Sequence, residues 1–108
     1  MKSIVVDERW SKYCIICGKP AEQHHCIGGT ANRKVSDKWG LIVPLCEEHH
    51  RTGKFSAHQS KEVGLLIHII SELAFEKHYI AEQRGLPFED IEDEARNKFK
   101  KEFGKNYI

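Results

Sequence analysis

The sequence predicts an α+β fold: two short strands and a short helix in the first half, then two α-helices. Three observations predict it. Residues 1–58 lack long apolar runs and carry turn-forming residues between short extended stretches. Cysteine and histidine recur within that half at the spacing of metal-ligand pairs, Cys14-x2-Cys17 and Cys46-x2-His49. From residue 61 onward the apolar residues take up helical periodicity.

The elements follow in order. Ile4-Val5-Val6 reads as a short edge strand or an ordered lead-in. Tyr13 to Pro20 has the form of a metal knuckle, with Gly18 supplying the positive φ that turns backbone N–H groups toward the thiols. Residues 22–27 (Glu-Gln-His-His-Cys-Ile) read as a strand, and Gly28-Gly29 opens a polar loop expected to run to Asp37. Trp39 to Leu45 resumes an extended apolar run, with Pro44 near its end. A helix is expected from about Cys46, with Glu47 and Glu48 in the first turn where the helix dipole favours them. Trp10 and Trp39 are read as plugs for the core of a thin domain.

Lys61 to Arg84 predicts a long helix. Val63, Leu66, Ile67, Ile70, Leu73 and Ala74 recur at helical spacing, and Leu65, Ile69 and Phe75 widen the apolar face. Such a helix packs on two sides or meets a partner, for instance a second copy in a homodimer. Gly85-Leu86-Pro87 breaks it. A second helix is predicted over Phe88 to Phe103, where Ile91, Ala95, Phe99 and Phe103 repeat every four residues. Its start is acidic and its end basic (Lys98, Lys100, Lys101), as the dipole prefers.

At 108 residues the chain reads as one domain, with a metal-braced motif over 13–58 and a helical extension over 61–108. A first half so poor in large apolar residues needs a staple. Net charge is only +1, but residues 1–60 carry 9 Lys and Arg against 6 Asp and Glu, whereas 61–108 carry 8 against 10. The excess of positive charge in the first half suits phosphate binding. No run of 18 apolar residues is present and the first residues lack the pattern of a signal peptide, so a cytoplasmic location with no membrane association is expected. Thiols stay reduced in the cytosol, and four cysteines in this pattern favour a metal over disulfides.

Cys14, Cys17, Cys46 and His49 can close a tetrahedral structural zinc site, each pair biting the ion from a tight turn. Cys26 follows the histidine pair on the predicted strand and reads as a buried spectator. Three further histidines lie near the quartet. His24 and His25 are adjacent on a strand, so their side chains leave on opposite faces. One can hold a metal while the other faces a substrate. His50 differs from His49 by about 100° around a helix, so it faces away from the zinc. His58 follows a short loop and can return as a third ligand. His68 and His78 fall inside the long helix and read as structural or surface residues.

The stretch from Cys14 to His58 resembles the HNH endonucleases, whose ββα-metal fold is braced in many members by two Cys-x2-Cys pairs. The run Phe103-Gly104-Lys105-Asn106-Tyr107 looks like the end of small phage-encoded HNH proteins, among them relatives of the RecA-dependent recombination-enhancement nuclease. The resemblance implies that His24 is a catalytic-metal ligand, His25 the general base and His50 the helix ligand of that metal, with His58 as third ligand. Two departures stand out. His49 replaces the last cysteine of the zinc site. The family's middle Asn falls on Leu41, which cannot serve, and Asp37 is the candidate to organise the loop in its place.

The chemistry follows from the residue types. A neutral imidazole takes a proton from water near pH 7, and one divalent metal stabilises charge on the leaving oxygen. An all-imidazole site suits zinc, nickel, cobalt or manganese better than the magnesium that family members also use. The resemblance implies DNA cleavage leaving 5′-phosphate and 3′-hydroxyl ends. Arg33, Lys34, Lys38, Arg51 and Lys54 are candidates for phosphate contact. Nothing resembles a base-reading recognition helix. Specificity would then come from DNA structure or from a recombination or packaging partner, such as a RecA-type filament. A non-catalytic zinc module for nucleic acid or protein, and an interaction protein built on the helix from Lys61, are the competing expectations.

Overall fold

The structure, a computed structural model, describes residues 3–28, 30–82 and 88–108. It is a mixed α+β fold. A two-stranded antiparallel sheet pairs β1 (Glu22–His25) with β2 (Ile42–Leu45), and its register sets His24 opposite Val43 and His25 opposite Ile42. Between the strands runs α1 (Thr30–Trp39). After β2 comes a π-type turn, Glu48–Thr52, then α2 (Lys61–Glu82) and α3 (Phe88–Phe103).

Helix α1 corrects the expected polar loop between Gly28 and Asp37. Its polar composition hides a narrow apolar stripe: Val35 and Trp39, one helical turn apart, pack against the core, and the Trp39 ring meets Phe75 at 4.8 Å. Ser36 is buried beside them and donates from Oγ to the Ile27 carbonyl. Gly40, at φ 70°, ends the helix, so the extended run begins at Ile42 rather than at Trp39. The preceding strand likewise stops at His25. Cys26 and Ile27 bend inward and are buried. The lead-in at Ser3–Val6 is ordered without being a strand: Ile4 N–H donates to the Gly40 carbonyl and Ser3 Oγ to that of Ile42.

One core joins the two halves. Cys26, Ile27, Leu41, Val43 and Leu45 from the sheet region meet Ile67, Phe75, Phe99 and Phe103 from α2 and α3. Every predicted core position of α3 is buried. In α2 the buried face is Ile67, Ser71 and Phe75, flanked by Glu72 and Glu76. The predicted face was wider: Leu65, Leu66 and Leu73 are exposed, the last two at 55% and 54%. Trp39 is the expected plug, but Trp10 is 60% exposed, because it sits in a short 3-10 turn (Glu8–Trp10) with no buried residue. The predicted break at Gly85-Leu86-Pro87 and the predicted helix end at Arg84 lie outside the described residues.

Candidate metal centre

The Cys14–Cys17 turn is folded by its own backbone. Cys14 N–H donates to the Lys19 carbonyl, Gly18 N–H to that of Cys14, and Gly18 takes the expected positive φ of 78°. Ile15 N–H donates to the Pro44 carbonyl, which ties the turn to β2 and so to Cys46 just beyond it. Proline is tolerated there because the two-stranded sheet asks nothing of its missing N–H.

Four ligand atoms converge as a result. The Cys17 and Cys46 sulfurs are 3.6 Å apart, and His49 Nδ1 lies 3.2 Å from Cys46 Sγ and 3.7 Å from Cys14 Sγ. A tetrahedron with bonds of about 2.3 Å to sulfur and about 2.0 Å to nitrogen has edges of roughly 3.5–3.8 Å. The quartet can therefore hold a metal such as zinc with little rearrangement. Burial opposes ionisation of Cys14, but the backbone N–H groups of Cys46, Cys17 and Ile16 outweigh it and bring the thiol down to about 6. Cys26 is the opposite case: burial alone pushes it up to about 12, which suits a spectator thiol inside the core.

A second cluster stands beside the first. His24, His50 and His58 bring one nitrogen each within 4.8 Å of one another, a set that can also hold a metal. His24 meets His50 edge-on, with ring centroids 4.8 Å apart, and His50 and His58 are tilted against each other at 4.9 Å. Each comes from a different piece of backbone: β1, the π-type turn, and the loop after it. That loop is drawn back by two main-chain bonds, Ala57 N–H to the His49 carbonyl and His58 N–H to that of His50. Gly53 allows the return: a Cβ there would lie 2.5 Å from the Glu48 carbonyl oxygen. The expected helix at Cys46 is thus a single turn, and its shortness is what frees His58 to close on His50.

Protonation suits ligation. Burial, with His50 and His58 nearby, pushes His24 down to about 4, so its ring is neutral near pH 7 and keeps a lone pair. His50 Nδ1 lies 2.7 Å from Glu22 Oε1. That carboxylate accepts Nδ1–H and leaves Nε2 as the free acceptor, the arrangement that commonly orients metal-binding histidines. In return, the hydrogen bond from His50 holds Glu22 below the usual carboxylate range.

His25 leaves the strand on its own course. Its Nε2 lies 2.8 Å from Asp37 Oδ1 on α1. A carboxylate can only accept, so Nε2 carries the proton and Nδ1 is the free acceptor. His24 and His25 thus have separate partners, yet both border one cavity of about 430 Å³ because β1 ends there. Arg33 and Arg51 line it too and, among the described residues, no acidic side chain does; Arg51 also pairs with Glu22, at 3.8 Å. The other three basic candidates lie elsewhere. Lys38 pairs with Glu102 and covers the Trp39 ring, Lys54 covers Phe55, and Lys34 is exposed on α1.

Glu22 is the residue of the centre that motif spacing does not reveal. The sequence reading passed over it; the one signal that could have found it is its place two residues before His24, on the same strand face. Asp37 was expected as a loop organiser and serves instead from a helix. No protein-family profile, characterised protein or solved structure matches this chain.

Proposed function

We propose that this protein is a metal-dependent endonuclease of the HNH type, with a structural zinc at Cys14, Cys17, Cys46 and His49. One observation carries the reading. A second, all-imidazole ligand set, His24, His50 and His58, opens on the same cavity as a histidine that does not belong to it, His25. A chain that needed metal for folding alone would have no use for three further ligands beside an oriented base and two arginines.

The residues divide the work. Arg33 and Arg51 hold the non-bridging oxygens of a phosphodiester. His25, its ring fixed by Asp37, takes a proton from water at Nδ1. The hydroxide so formed attacks phosphorus as the P–O3′ bond opposite it breaks, leaving a 5′-phosphate. The 3′-oxygen leaves as an alkoxide and takes its proton from solvent. His24, His50 and His58 would hold a divalent ion (zinc, nickel, manganese or magnesium), which when bound would supply Lewis-acid stabilisation of the leaving group's charge. The three histidines contribute imidazole ligands and Glu22 fixes the tautomer of one. DNA is the expected polymer, with selectivity supplied by its structure or by a partner protein.

The test is plasmid nicking by wild type and His25→Ala, with EDTA or with added magnesium, manganese, nickel or zinc. Loss of a positioned general base costs on the order of 10²- to 10⁴-fold in rate. The expected result is metal-dependent nicking by wild type, a loss of that size in the variant, and one tightly held zinc in both. No cutting with any metal, with zinc still bound, would sink the nuclease and leave a zinc module that binds without catalysis.

A further inference from the structure

A second cavity, of about 530 Å³, opens beside the first and shares His58 as a wall. The start of α2 forms one side, with Ser60, Lys61 and His68, and the segment after α3 forms the other, with Lys105 and Tyr107. The two lysines form no ion pair among the described residues. Among the described residues no acidic side chain lines this cavity either. In a chain with 16 Asp and Glu against 17 Lys and Arg, two adjoining cavities carry Arg33, Arg51, Lys61 and Lys105. Arg51 pairs with Glu22 at 3.8 Å, and Arg33, Lys61 and Lys105 form no ion pair among the described residues, which leaves a net positive lining.

The Lys105 side of this cavity is held in place. Glu72, fully buried in α2, accepts hydrogen bonds from Asn106 Nδ2, at 2.9 Å, and from Tyr107 N–H. Asn106 Nδ2 also donates to the Arg96 carbonyl of α3. The Tyr107 ring rests against His68 at 4.6 Å, and Lys105 Nζ sits 4.9 Å over that same ring. A buried carboxylate thus anchors a segment whose outer face presents an ammonium group to the cavity.

We infer that the cavity between Lys61 and Lys105 binds a backbone phosphate of the nucleic-acid strand that passes the histidine cluster. The identity of the ligand rests on the nuclease reading; the cavity and its charge do not. Ammonium groups grip phosphates as point charges and without regard to base, so the subsite adds affinity and register rather than sequence preference.

The test is binding of a fluorescein-labelled single-stranded oligonucleotide by zinc-loaded protein, as wild type, Lys61→Ala/Lys105→Ala and the control Lys77→Ala, across a salt series. All three lysines are exposed, so the variants should fold. Removing two phosphate contacts should lower the salt slope by about 1.5 and weaken binding roughly tenfold at low salt. Lys77→Ala should match wild type. Equal slopes for wild type and the double variant would overturn the subsite, as would no binding by wild type. Inorganic phosphate is the second probe. A phosphate site that the double variant loses, with oligonucleotide binding unmoved, would make this a free-anion site and overturn the strand assignment. The cleavage assay separates the two readings. Binding that depends on Lys61 and Lys105 without any nicking keeps the subsite and removes the nuclease. Nicking with an unchanged salt slope does the reverse.

Discussion

The cysteine quartet and the histidine triad adjoin at one peptide bond, between His49 and His50, yet they are assembled differently. The quartet uses two local pairs, each folded by its own turn and joined through the Ile15–Pro44 bond. The triad draws single residues from a strand, a turn and a loop, and one of its rings, His50, is aimed by a further group, Glu22. Local pairs make a brace that survives disturbance elsewhere. Ligands gathered from separate segments make a site that registers every shift of the backbone around it.

Removing a ligand from each cluster is the sharpest way to break this contrast. Cys17 is the exposed member of the quartet, so Cys17→Ser deletes a ligand without emptying the core. Zinc sites of this kind contribute apparent binding energies on the order of 10 kcal/mol. The variant should lose its zinc by elemental analysis and its cooperative melting by calorimetry. Unchanged melting without zinc would end the idea of a brace. His58→Ala should do the opposite. Being exposed, it should cost at most about 0.5 kcal/mol of stability and leave the zinc bound. Nicking should fall more than about a hundredfold, beyond the range for losing a mere ligand-orienting partner.

Glu22→Gln tests the aiming groups. Manganese or nickel affinity at the triad, read by titration calorimetry, should drop about 10- to 100-fold, with the quartet untouched. Equal losses at both clusters would mean that they form one cooperative unit.

The smallest effect comes from outside both clusters. Burial, with the neighbouring Glu72, raises Glu76 from 4.5 to about 7 despite Arg96. The folded chain therefore keeps a proton that the unfolded chain releases above pH 4.5. This contribution is complete below pH 4.5 and is lost as pH rises through about 7. Glu76→Gln should remove it, so that its melting temperature gains on wild type between pH 5 and pH 8. With that background removed, the remaining pH dependence can be compared between variants of the two clusters.

The same contrast explains what could be read from residues alone. Cys14-x2-Cys17 and Cys46-x2-His49 announce the quartet because a pair of ligands two residues apart is a local fact. Strand and helix geometry separated His24 from His25 and His50 from His49, but the choice of His24 and His50 as ligands came from the resemblance to HNH proteins, and His58 was the next histidine along. The pairings of Glu22 with His50 and of Asp37 with His25 were not, because they join residues 28 and 12 positions apart through tertiary structure. Helix α1 was missed for a related reason: in a mostly polar segment, Val35, Ser36 and Trp39 reveal a buried side only once Ile27 and Phe75 are known to face them. In α2 the apolar residues outnumbered the places available to bury them.

The pairing of β1 with β2 has a consequence beyond holding two strands together. Since side chains alternate along a strand, His24 and His25 owe their separate partners to the match of His24 with Val43 and His25 with Ile42. Inserting or deleting one residue before His24 would exchange the neighbours' places while conserving every functional side chain. An inventory of residues would then look intact in a protein whose two neighbouring histidines had traded positions. Drift in length is therefore more dangerous to this centre than most drift in composition, and the short β1 strand acts as its reading frame.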